Sequence, residues 1–406
     1  MFLSSVSQRF HDGYEFQRAP LSFLEQMGNQ RDVAFFKAGL TTFCLIRSPD
    51  DIKRVLVTEN SRFGEGKWTQ RGKYVMRDCM ITREGTPHRK RRKLLQPGFK
   101  NSCIGNSFDP AIRLSEETCK SWNDDQTIDL FPDMNRIALE VVGHSLFGTC
   151  FGDRASEISQ ALTILLQAIP RPPIPWPQVI AAKRTIRKAT SQMSDGPLIG
   201  LMKKAGLSEK QIHNEILSLL IASIDTTPKT IAWAFTLIGM NPSVEEQLHQ
   251  ELSSVLGDRT PIENDLTMLP YLNQVIQETL RLYPPVHFID RRTMEDVKFG
   301  EATVPAGTYL LLSPLLTHRD PKYFDQPSEF RTDRWTPGAV KRRKPFSFYP
   351  FGSGPHACIG KKLAFMEIAT VIAMISRKWR FRPTQELLMN ASPQRTDFPV
   401  TLKRRS

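Results

Sequence analysis

One cysteine in this chain stands where a thiolate can hold a metal. Phe351-Gly352-Ser353-Gly354-Pro355-His356-Ala357-Cys358-Ile359-Gly360 is a loop punctuated by three glycines, followed by an apolar helical run from Leu363 to Ile375. A cysteine at the start of a helix has its anionic form favoured by the helix dipole and by outward-pointing backbone N–H groups, which suits it to ligate a metal. Glycines at these places let the backbone approach a flat cofactor closely. A lone cysteine is more often a small inert core residue; what sets Cys358 apart is the ten-residue pattern around it.

Further residues with chemical potential sit on helical patterns. Ala222-Ser223-Ile224-Asp225-Thr226-Thr227-Pro228 puts an acid, hydroxyls and a proline where a buried helix wants aliphatic side chains, and uncompensated burial of such groups is costly. Two explanations compete. The segment is a break between two helices with Asp225 capping the second, or Pro228 removes one ladder hydrogen bond and bends a single helix while Asp225 and Thr226 face a cavity and relay protons. The run from Gly85 to Leu95 is the densest basic stretch. Such a run suits a nucleic-acid patch or a solvated helix face, but His88 and Arg92, four apart, share one side of the helix. Glu278 and Arg281 share a face of another helix, a pairing that is worth little when exposed.

Taken together these residues resemble the cytochrome P450 haem-thiolate monooxygenases. The loop is similar to that family's F-G-x-G-x-H-x-C-x-G haem-binding signature, and Ala222 to Thr227 resembles its oxygen-activating A-G-x-[DE]-T-T motif, with Ser223 where glycine is usual. Glu278-Thr-Leu-Arg281 looks like the E-x-x-R helix, Arg334 fits the third position of that triad, and Thr332 stands where the family commonly has proline. The resemblance implies heme b (iron protoporphyrin IX) with Cys358 as the axial ligand that pushes electron density onto the iron. Phe351 and Gly360 would shape the loop, and His88, Arg92, Arg291 and His356 would hold the propionates. Arg291 is preferred to Arg292 for its five-residue spacing before Asp296. Asp225 and Thr226 would manage protons. Ala222, Ser223, Val286, His287, Phe288, Ile289 and, in the segment from Thr396 to Val400, Phe398 would line a substrate pocket. Glu278, Arg281 and Arg334 would serve folding and haem incorporation.

The implied fold is mainly α with a smaller β-rich region, one domain over residues 1–406: a β-rich part at about 30–60, a helical body at about 80–285, a β and haem-loop region at about 286–360, and a helix with strands over 361–406. The implied reaction inserts one oxygen atom from O2 into a largely apolar small molecule, a secondary metabolite, with electrons from a separate ferredoxin or flavodoxin and its reductase. The same fold running peroxide-driven oxygenation, desaturation or oxidative coupling is an alternative, and so is a haem sensor without turnover, against which Asp225-Thr226 argues.

The elements that must position these residues are legible in outline. Val33 to Ile46 reads as a hairpin around Ala38-Gly39, and Ser48-Pro49-Asp50-Asp51 starts a helix. Met134 to Gly148 has helical periodicity, with His144 read as a core histidine. Five prolines between Pro170 and Pro177 demand an extended loop. Ser208-Glu-Lys-Gln211 has capping-box form ahead of a long apolar helix. Composition is ordinary, 40% hydrophobic and 24% charged, with six scattered cysteines that suggest neither a disulfide scaffold nor a zinc site. The N-terminal stretch to Gly28 is interrupted by charges, so a soluble cytoplasmic monomer is expected, with neither membrane nor nucleic acid as partner. A net charge of +13 finds its use in an acidic electron donor. Arg89, Lys90, Arg91, Lys93, Lys341, Arg342, Arg343, Lys344, Lys361 and Lys362 fall in segments that the family places around the thiolate side.

Overall fold

Aromatic and β-branched residues on both sides of Gly39 make the expected hairpin. Val33–Ala38 pairs antiparallel with Thr41–Ile46, and Gly39 turns the chain at φ +61°. The computed structural model describes residues 6–28, 31–170, 174–191, 193 and 196–405. Its chain divides into two units, each drawn from three separated stretches. Met1–Lys73, Val286–Glu329 and Arg342–Cys358 form the first; Tyr74–Pro285, Phe330–Lys341 and Ile359–Ser406 form the second.

The first unit is built on a five-stranded sheet. Thr41–Ile46 runs parallel to Tyr309–Leu312, which pairs antiparallel with Ile289–Thr293, and Phe63–Glu65 closes the far edge. One face is covered by rings: Phe16, Phe23, Phe36 and Phe43 pack with centroids 4.9 to 6.0 Å apart, in the offset and edge-on arrangements that aromatic quadrupoles favour. The expected Ser48-Pro49 helix is the short Pro49–Lys53. It runs straight into a π-helical turn, Arg54–Thr58.

The second unit is helical. Its longest element, Glu209–Met240, spans 32 residues and starts from the Ser208/Gln211 capping box read in the sequence. Each partner of that box satisfies a backbone N–H that the first turn leaves bare. The helix continues unbroken through Ala222 to Pro228, so the two-helix alternative is excluded. Leu130–Phe147 lies against it and ends on Gly148, whose φ of +65° suits a left-handed cap. His144 on that helix is exposed, not a core residue, because the buried stripe falls on its neighbours. The proline-rich loop is short: helices end at Ala168 and restart at Trp176 with Pro177 in the first turn, where its missing N–H costs nothing. Arg171, Pro172 and Pro173 lie outside the described residues. Among the described residues no helix is long and apolar enough to cross a membrane.

Candidate functional site

The cysteine loop belongs to the first unit. Gly352 N–H donates to Tyr349 O at 2.9 Å, Ala357 N–H to Gly354 O at 3.1 Å and Cys358 N–H to Phe351 O at 2.9 Å, so the chain folds back on itself around the short helical turn Gly354–His356. Gly354 has φ +69°, and a Cβ there would lie 1.8 Å from the carbonyl oxygen of Leu56. No side chain fits. The loop is thereby locked against the π-helical turn, which Arg54 pins by bonds to Asp51, Glu59 and the Lys298 carbonyl at 2.8 to 3.0 Å. Cys358 is exposed, three residues ahead of the helix Lys361–Ser376 that Gly360 precedes. Cys44, Cys79 and Cys119 are buried instead. Burial pushes the Cys119 thiol up to about 12 and raises those of Cys44 and Cys79, which makes them poor thiolates.

The alternation of Ile289–Thr293 puts Arg291 and Arg292 on opposite faces. Arg292 is exposed and lies over the Tyr309 ring at 5.8 Å, whereas Arg291 is half-buried and donates to the Asp290 carbonyl at 3.0 Å. Beside it, Asp290 is buried, accepts the Trp68 N–H at 2.9 Å and sits where a Cβ on Gly66 would come within 2.0 Å. Burial raises its carboxyl to about 6. Phe288 packs on Trp68 with centroids 4.7 Å apart, Ile289 lies 3.5 Å from where a Cβ on Gly352 would be, Ser313 donates to the His287 carbonyl at 2.7 Å, and Val286 is exposed. Phe351 and His356 are half-buried. Ile289 and the cysteine loop therefore meet within one unit.

In the second unit, the helix Gly85–Leu95 buries His88 and half-buries Arg92 while Arg89, Lys90 and Lys93 face outward. Arg91 does not join that basic surface. It is buried against Glu215 of the long helix, whose carboxylate also accepts the Met80 N–H at 2.9 and 3.0 Å. The sequence placed Arg91 among the exposed cations because nothing local marks the buried acid 124 residues away. On the long helix, Asp225 accepts from Lys229 at 2.9 Å and the Thr226 hydroxyl donates to the Ala222 carbonyl at 2.9 Å. Ala222 is exposed, and Asp225, Thr226 and Ser223 are partly so. The Ser223 hydroxyl is turned back onto the Leu220 carbonyl at 2.9 Å, so the departure from glycine is satisfied within the helix.

Phe398, read as a pocket wall, has no exposed surface; it packs edge-on to Trp233 at 5.1 Å and stacks near Phe131 at 6.3 Å. It is a core residue, while Thr396 and Asp397 before it are exposed. Glu278 and Arg281 form a fully buried bidentate pair at 2.8 Å, with Arg334 at 3.3 Å on the same carboxylate.

Sequence reasoning missed Glu367 on the helix after the cysteine. It is buried, its Oε1 has no hydrogen-bond partner, and burial pushes its carboxyl well above the glutamate range. A buried acid reads from sequence as one more polar position of an apolar helix. A folded-state pKa above the unfolded one means that folding takes up a proton: stability is full below the ordinary glutamate pKa and is lost as pH rises toward the folded value. Glu367→Gln is therefore expected to stabilise the protein near pH 8 and to do so far less near pH 4. Denaturant titration at both pH values checks this, and an equal effect at each would refute it.

These residues suit a haem. Among the described residues no cluster of three or more His, Cys, Asp or Glu side chains can hold a metal ion. The glycine-locked loop of the first unit presents one accessible thiol, and Arg92 in the second unit and Arg291 in the first carry guanidinium groups of the kind that propionates require.

A model of the family described as Cytochrome P450 matches residues 14–185 and 177–402. The chain is 29% identical to "Cyclooctatin synthase" of Streptomyces melanosporofaciens over 93% of this chain and 89% of that protein. It is 28% identical to "Cyclooctat-9-en-7-ol 5-monooxygenase" of the same organism over 90% of this chain and 86% of that protein. "Pentalenene oxygenase" of Streptomyces avermitilis is 25% identical over 90% and 88%.

Proposed function

Because the chain belongs to the cytochrome P450 family, and is thus an oxygen-incorporating haem oxidoreductase, we propose that it oxidises a cyclic terpene of largely apolar character in secondary metabolism. The observation that carries the haem-thiolate reading is the exposed Cys358 thiol in a loop that Gly354 locks against the Leu56 carbonyl. The similarity to three proteins whose names specify a terpene product, substrate or position supports the substrate class. Heme b, when bound, supplies the activation of dioxygen and the transfer of one oxygen atom to substrate.

The chain's own residues do the rest. Cys358 would hold the iron through its thiolate, and Phe351 and Gly360 bound its loop. His88, Arg92, Arg291 and His356 neutralise the two propionates. Ala222 and Ser223 in the second unit and Val286, His287, Phe288 and Ile289 in the first would each contribute to orienting the substrate by shape. Asp225 holds a proton-exchanging carboxylate at the long helix, restrained by Lys229, and the Thr226 hydroxyl exchanges its bond to the Ala222 carbonyl for one to the reacting site. Glu278, Arg281 and Arg334 carry no chemistry and hold the fold that loads the cofactor. Electrons come from a separate ferredoxin or flavodoxin, acidic in character, and the protein works as a cytoplasmic monomer.

Titrating the ferric holoprotein with cyclic sesquiterpenes and diterpenes is expected to shift its Soret band toward high spin, with label from isotopic dioxygen appearing in the product. No shift across the panel, or a product without label, would overturn the proposal. Reversing two exposed charges of the first unit, Arg342→Glu with Lys344→Glu, is expected to slow partner-driven turnover about tenfold at low salt and to leave peroxide-driven turnover unchanged. The exposed Lys344–Asp50 pair at 2.8 Å that this breaks is worth little. Equal loss of both activities would refute a docking role.

A further inference from the structure

Pro228 lies inside the Glu209–Met240 helix, and a proline has no N–H to give to the carbonyl four residues back. That carbonyl belongs to Ile224, the residue before Asp225. Its partner comes from elsewhere: Asn135 Nδ2, on the helix Leu130–Phe147, donates to Ile224 O at 2.5 Å. Asn135 is buried, and its Oδ1 accepts the Ser159 hydroxyl at 2.5 Å from the helix Ala155–Ala168. The serine thereby fixes which end of the amide faces the long helix.

The carbonyls around this gap are contested as well. Ser223, Thr226 and Thr230 donate their hydroxyls to the Leu220, Ala222 and Thr226 carbonyls, each at 2.9 Å. Side-chain bonds of this kind compete with the ladder and loosen a helix. The turn that carries Asp225 and Thr226 is thus short of one backbone donor and bonded by hydroxyls on both sides of the gap. A carbonyl left bare there would tilt to find another donor, and the next residue along the chain is Asp225.

We propose that Asn135 is a positioning residue for the oxygen-activating turn: it supplies the donor that Pro228 withholds and so fixes the direction in which Asp225 and Thr226 are presented. The proposal rests on the reading of those two residues as the proton-handling pair. It differs from an ordinary core contact in being conditional on the proline. With an N–H restored at position 228, the Asn135 bond becomes one of two to the same carbonyl, which has lone pairs for both, and the turn no longer depends on it.

The test compares the holoenzyme with Asn135→Leu, which keeps the side-chain volume, with Pro228→Ala, which restores the donor, and with the double variant. In Asn135→Leu, amide exchange over residues 225–231 is expected to quicken about fivefold with the rest of the unit unchanged, since one hydrogen bond is lost. The share of electrons recovered in product should fall and released peroxide should rise. Both changes should vanish in the double variant measured against Pro228→Ala. Faster exchange across the whole unit, unchanged coupling in Asn135→Leu, or an undiminished Asn135 effect in the Pro228→Ala background would each overturn the proposal. Thr226→Ala separates it from the reading beneath it. Normal coupling in Thr226→Ala overturns the proton-handling assignment and with it this role; reduced coupling there beside normal coupling in Asn135→Leu overturns this role alone.

Discussion

Cys358→Ser is expected to cut substrate oxidation on the order of a thousandfold, about 4 kcal/mol of barrier, and to abolish the red-shifted carbon-monoxide band that thiolate ligation gives to the ferrous protein. An alcohol keeps its proton at neutral pH, so the anionic sulfur that feeds electron density to the iron has no counterpart. The loop should survive the change. Its shape depends on the backbone bonds from Gly352, Ala357 and Cys358 and on the close approach of Gly354 to Leu56, none of which involves the sulfur. Folding and much of the haem content should therefore be retained while chemistry is lost. Cys150→Ser, at the other exposed cysteine, is the control and should change neither spectrum nor rate. A thiolate spectrum persisting in Cys358→Ser would mean that another cysteine ligates, and Cys358 would lose its assignment.

What could be read from the sequence was local. The hairpin at Gly39, the capping box at Ser208 and the helix ending at Gly148 follow from residues within a few positions of one another, and each forms as read. The same holds for the helix Lys361–Ser376, which follows the Cys358 loop as the apolar run indicates. Residues whose surroundings come from distant segments were misread. Arg91 looked like its exposed neighbours because its partner Glu215 lies on another helix. Phe398 looked available because Trp233 and Phe131, which enclose it, are far away in sequence. His144 turned outward although the periodicity put it on a buried helix. Pro228 announced a carbonyl without its helical donor, yet only the packing of two other helices could reveal Asn135 as the group that answers it.

Glu278→Ala is expected to cost about 3–5 kcal/mol, the largest stability loss of any single change considered, because it takes one partner out of a buried ion pair. The carboxylate has no exposed surface and gathers five donor contacts: two from Arg281 at 2.8 Å, one each from the Trp335 indole at 2.8 Å and the Arg331 backbone at 2.9 Å, and one from Arg334 at 3.3 Å. It thus ties the helix Pro270–Leu282 to the turn Thr332–Trp335, elements of one unit that lie about fifty residues apart in the chain. Alanine removes the carboxylate that accepts both 2.8 Å bonds from the fully buried Arg281 guanidinium. Arg334→Ala should cost less, since Arg334 keeps some exposure and makes one longer bond to the acid, whose remaining donors persist. Glu278→Gln should fall between them: its carbonyl oxygen still accepts, but its amide nitrogen meets guanidinium donors. A bound cofactor breaks two-state unfolding, so the comparison belongs to the yield of haem-loaded protein and to the midpoint in denaturant, read together. Equal losses for Glu278→Ala and Arg334→Ala would show that the acid is not the hub, and the folding role would pass to the arginines.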